Sequence, residues 1–175
     1  MSNVRRHGMR NLALSILLLA TALFVRAAEP FTTFSVVLMQ PDHVLKQRVA
    51  SVEVFAEYVR AIQAAAKTAI VASEDRPSVG GFIVVAVRPG ARTNVWLEFD
   101  APLPQGITAR LNTAVRAVAP FAARSGPVVF AIKVGLWGGA EPVRITPVPA
   151  EWTAAAEKAA RPLEVGELVE SIWRE

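Results

Sequence analysis

The 175-residue sequence predicts an α+β domain: a four-stranded, mainly antiparallel sheet with two helices on one face, then a helical C-terminal tail. Three patterns predict it. Apolar residues recur at three- and four-residue steps from Leu45 to Ile70, the mark of an amphipathic helix. Phe82 to Phe99 reads as two strands joined at Pro89-Gly90, a β-hairpin. A shorter amphipathic stretch, Ile107 to Ala119, precedes Val128 to Trp137, an apolar run whose only charge is Lys133. Each helix has one apolar stripe to bury, and one face of the sheet can take both.

The elements follow in order. Thr33 to Met39 is rich in β-branched residues and reads as the first strand, broken by Pro41. Asp42 is placed to N-cap the long helix, its carboxylate accepting orphan backbone N–H groups. That helix runs from His43 to near Ser73 on the stripe Leu45, Val49, Val52, Ala56, Val59, Ile62, Ala66 and Ile70. Gly80-Gly81 reads as a flexible strand end. Phe82 to Val87 is a continuous apolar run, typical of a buried strand. Thr93 to Phe99 alternates, with Val95, Leu97 and Phe99 on one face and Asn94, Trp96 and Glu98 on the other. Ile107, Leu111, Ala114, Val115 and Val118 share the apolar face of the second helix, which Pro120 ends. Gly138-Gly139, read as another flexible end, closes the last strand. Three prolines between Glu141 and Pro149 predict an extended connector. Ala150 to Ala160 and Glu164 to Trp173 then read as two short helices. The order β-α-β-β-α-β corresponds to a split βαβ, ferredoxin-like arrangement.

The organisation expected is an export signal over residues 1–27, the α+β domain over 31–140, and the connector with its helices over 141–175. Arg5, Arg6 and Arg10 precede an apolar run from Leu12 to Val25, and Val25-Arg26-Ala27 offers small residues for cleavage. Fourteen residues at about 1.5 Å each fall short of the ~30 Å hydrocarbon core, which favours a signal over a permanent span. The expected location is periplasmic or secreted after cleavage near Ala27 or Ala28, or inner-membrane anchored if the segment is retained. Four of the nineteen basic residues fall in this segment, which holds no acidic one, so the remainder carries fifteen of each sign. The high isoelectric point therefore gives no support to nucleic-acid binding. No cysteine is present, so packing alone must hold the domain in an oxidising compartment.

Motifs for catalysis are sparse. His43 is the only histidine beyond the signal, and a metal site needs three or four ligands. It reads as a helix-start residue. The serines stand in no nucleophile motif, and neither glycine pair has phosphate-loop or dinucleotide spacing. No cofactor or metal is expected. Glu98 and Asp100 share one face beside Trp96, a grouping that could serve carboxylate chemistry but reads first as a solvated face. Trp96, Glu98, Asp100 and Trp137 are the candidate binding residues, because an aromatic on a polar face can stack on a ligand or pack beneath the tail. The second hairpin strand and the last strand offer edges for an added strand.

Residues 82–137 resemble the carboxy-terminal domain of TonB-like envelope proteins in pattern. The matching pieces are Phe82–Val87, Pro89-Gly90, Val95–Phe99, Leu111–Val118, Pro120-Phe121 and Gly126-Pro127-Val128. The family's Tyr-Pro entry, its Ser-Gly turn and its proline-rich spanning linker are not found, so the resemblance carries over no site residue and does not extend to energy transduction. It implies strand addition to a partner protein. The function expected is a non-enzymatic periplasmic interaction domain with a protein partner of the envelope. The alternatives are a small envelope hydrolase using carboxylates near Glu98 and Asp100, and a membrane-tethered structural protein. Membrane contact is expected only through the N-terminal segment.

Overall fold

The computed structural model of the chain describes residues 28–173, so the expected export signal lies outside the described residues. The elements are β1 (Phe31–Leu38), α1 (Asp42–Arg48), α2 (Val52–Val71), β2 (Val79–Arg88), β3 (Arg92–Phe99), α3 (Gln105–Arg116), β4 (Val128–Leu136), α4 (Ala150–Lys158) and α5 (Val165–Ser171). The strands form one antiparallel sheet in the order β1-β4-β2-β3. Both helical crossovers, β1 to β2 and β3 to β4, step over one intervening strand. The α+β class and the β-α-β-β-α-β order are as the sequence predicts. Among the described residues no helix is long and apolar enough to cross a membrane.

The central pair dictates the rest. Every residue of β4 is buried, and every residue of β2 except Arg88. Strand side chains alternate between faces, so both faces of the sheet must be covered. On one face lie Tyr58, Val59, Ile62, Ala66 and Ile70 of α2, and Ile107, Leu111 and Val115 of α3. They pack on Ile83, Val85 and Val87 of β2 and on Phe130, Ile132 and Val134 of β4. On the other face Phe82, Val84, Ala86, Val129 and Ala131 are closed over by Trp152 of α4 and by Leu168 and Val169 of α5. The tail is thus a layer of the structure, and the whole is helices–sheet–helices. α5 is held by a capping box: Glu164 and Glu167 satisfy each other's backbone N–H groups, and Arg161 grips the Glu167 carboxylate. That arginine is the main reason the Glu167 carboxyl is held below its usual range.

The expected single helix from His43 is two. Val49 is extended, and the Ser51 hydroxyl accepts the Val54 N–H at 3.3 Å, capping α2 afresh. This restart shifts the buried stripe, so Val52, placed on it by the periodicity, is 73% exposed, whereas Phe55 and Tyr58 face the core. Asp42 is not an N-cap: Pro41 holds that position, and the Asp42 carboxylate pairs instead with Lys46 one turn on, at 2.6 Å. The expected strand ends at Gly80-Gly81 also need correction. Both glycines lie within β2, and Gly80 pairs with Gly135 of β4. A Cβ on Gly80 would collide with the carbonyl oxygen of Ala140, and one on Gly135 with that of Gly139. Bare backbone here lets the chain double back flat against the sheet. The reversal is a tight turn in which Trp137 and Gly138 both have positive φ and the Gly139 N–H bonds Leu136 O at 2.8 Å.

Tyr58 ties the helical layer to β3 through a 3.2 Å hydrogen bond with Thr93 Oγ1. Burial pushes its phenol above the ordinary value of 10.0, and the bond to Thr93 offsets part of the rise. The folded state keeps this proton longer than the unfolded chain. The stabilisation it represents is complete below pH 10 and is lost as pH rises through the folded value. As the only tyrosine in the chain, Tyr58 can be titrated by tyrosinate absorbance. Its midpoint is expected above 10 in the native protein and back at the ordinary value in urea; equal midpoints would refute its burial.

Candidate functional site

The site grows from the outer edge of the hairpin. β3 pairs with β2 along its length and has no strand on its other side. The Asp100 N–H bonds Gly80 O at 2.9 Å, which marks these residues as a hydrogen-bonded pair. Such pairs alternate along an antiparallel ladder. Glu98, Trp96 and Asn94 therefore turn their backbone groups toward β2, whereas Phe99, Leu97 and Val95 turn theirs outward. The Val95 N–H is taken by the Asn94 side chain, Oδ1 at 3.0 Å, as expected for a donor outside the ladder. Leu97 and Phe99 present their groups to a groove of about 500 Å³.

Two walls flank this edge. Leu103, with Thr108 and Asn112 of α3, stands on one side, and Pro149, Ala150 and Glu151 at the start of α4 stand on the other. The walls leave the β3 residues mostly half-buried although the strand is an edge. The helix-side wall meets Val95, Leu97 and Phe99, which belong to or pack on the larger core. The tail-side wall meets Trp96, whose indole N–H donates to Glu151 Oε2 at 3.1 Å and whose ring stands edge-on to Trp152 at 5.4 Å. Trp96 thereby fixes the first turn of α4, and so the width of the groove.

Carboxylates gather toward the Phe99 end. Arg144, on the connector, bonds Glu98 Oε1 with one nitrogen and reaches Asp100 Oδ1 at 3.2 Å with the other. Its guanidinium also lies over the Phe82 ring, 5.5 Å from the centroid. Glu98 is the more enclosed acid, its side chain 18% exposed against 45% for Asp100. Its second oxygen, Oε2, is buried without a hydrogen-bond partner among the described residues. Beneath the same connector Lys133, the one buried charged residue of the central strands, pairs with Glu141 at 3.2 Å and faces the Phe82 ring. The connector is therefore held down twice by opposite charge.

Of the candidates read from sequence, Trp96 and Glu98 line the groove and Asp100 joins Glu98 through Arg144. Trp137 does not join them. It is 8% exposed, packs in the core on the opposite face, and its backbone N–H donates to Pro30 O at 3.1 Å. The expectation that the last strand offers an edge is corrected as well: β4 is central, and the two edges are β1 and β3. His43 is exposed on α1, and among the described residues no three His, Cys, Asp or Glu side chains could hold a metal ion. The sequence reading missed Arg144 and Glu151. Arg144 is the only cation between Lys133 and Lys158, but nothing in the sequence ties it to carboxylates 44 and 46 residues earlier. No family model, curated protein or solved structure matches the chain.

Replacing Arg144 by Met leaves two neighbouring carboxylates without their counter-charge. Arg144→Met is expected to cost about 1–2 kcal/mol of unfolding free energy in urea, because half-exposed pairs are worth less than buried ones. Adding Glu98→Gln should recover most of that loss; a double variant as unstable as the single one would show that the pairing contributes nothing.

Proposed function

We propose that this chain is a non-enzymatic binding module of the bacterial envelope that recruits a protein partner by adding an extended segment of it to the β3 edge. The observation that carries this reading is the β3 edge itself: outward N–H and C=O groups of Leu97 and Phe99, set in a walled groove long enough for a short strand. Main-chain hydrogen bonds to such an edge supply affinity, and pockets for alternate side chains supply specificity. The resemblance of residues 82–137 to TonB-like carboxy-terminal domains points to the same mode. The expected export signal supplies the envelope address. Against carboxylate hydrolysis, Arg144 holds one oxygen of Glu98 and one of Asp100 in ion pairs, and a carboxylate engaged in this way is less free to exchange protons with a substrate.

The test is a selection from a random decapeptide library, followed by amide hydrogen exchange on the bound protein. Selected peptides should slow exchange at Leu97 and Phe99. Leu97→Pro removes one outward donor at an edge, where proline is tolerated, and should weaken binding about ten-fold, the worth of one good hydrogen bond. Protection elsewhere, with β3 unchanged, would sink the proposal.

A further inference from the structure

We infer that the segment added at β3 alternates apolar and basic residues, its basic side chains turned toward the tail-side wall. This rests on the strand-addition reading above. An added strand continues the pleat, so its side chains alternate between the two walls. The helix-side wall offers Leu97, Phe99 and Leu103, and apolar side chains fit there. The tail-side wall offers carboxylates. Glu151 is exposed, bonds the Trp96 indole, and has no ion-pair partner among the described residues. Glu98 and Asp100 follow toward the end of β3 and share the single cation Arg144. Three carboxylates against one guanidinium leave this wall net negative.

Arg144 shows how a basic side chain sits there. It spans two carboxylates while its central carbon lies over the Phe82 ring, 5.5 Å from the centroid, and a planar, delocalised cation suits such a place. Its neighbours Val143 and Ile145 are 98% and 80% exposed, so Val143-Arg144-Ile145 is itself an apolar–basic–apolar triplet with only the basic residue engaged. Opposite charge across the site gives preference and register to an otherwise sequence-tolerant backbone interaction.

The experiment uses the protein recovered after expression of the full-length chain and three fluorescent octapeptides: alternating Val-Lys, Val-Gln and Val-Glu. Binding is read by anisotropy at physiological salt. The Val-Lys peptide should bind about ten-fold more tightly than Val-Gln, one favourable charge contact's worth, and Val-Glu should bind weakest. Glu151→Gln should shrink the Lys-over-Gln ratio to within about two-fold, and Glu151→Lys should invert the order toward Val-Glu. Glu151 is exposed, so both variants are expected to fold. Equal binding of all three peptides, with β3 amides protected, overturns the charge inference and leaves strand addition standing. A Lys preference that survives both Glu151 variants also overturns it. Absence of binding by every peptide overturns both readings.

Discussion

β2 and β4 bury side chains on both faces at nearly every position, and the arrangement of everything else answers that demand. A sheet with one covered face needs polar residues on the other. Here Phe82, Val84, Ala86, Val129 and Ala131 point away from α2 and α3 and cannot be left to water. Burying each large apolar side chain is worth about 1.5–3 kcal/mol, so the chain must return after β4 and close that face. The turn at Trp137-Gly138 and the bare backbone of Gly80 and Gly135 make the return possible. α4 and α5 complete it.

The candidate site is a by-product of this closure. The connector cannot cross the sheet without meeting Lys133, the one buried charged side chain on the central strands, and Glu141 neutralises it in passing. Three residues later Arg144 meets the carboxylates at the end of β3. Held at these points, the chain delivers Pro149 to Glu151 alongside β3 and turns an open edge into a walled groove. On the second edge, β1, Phe34, Val36 and Leu38 are more than a third exposed. Charge at an edge discourages indiscriminate strand pairing, and β3 carries Glu98 within the strand.

Much of this was legible in the sequence, and its limits were physical. The alternation in Thr93–Phe99 and the unbroken run Phe82–Val87 placed the hairpin, because side-chain period reports burial directly. The apolar stripe placed α2, but a stripe alone cannot show a restart, and the Ser51 cap was the overlooked sign. Trp96, Glu98 and Asp100 were grouped by strand alternation, a local rule. Arg144 and Glu151 lie 44 or more residues from their partners, and no local rule brings them there. Trp137 lies in the core instead, and for a related reason: a tryptophan at a strand end reads the same whether the next turn buries it or not.

The central claim is that the residues after β4 are a structural layer and the builders of the groove. Ending the chain after Ala140 tests it most directly, by urea unfolding with a dye that binds exposed apolar surface. The account predicts loss of a cooperative transition and strong dye binding, because Phe82, Val84 and Val129 are uncovered. A shortened chain that unfolds cooperatively at an unchanged midpoint would contradict it.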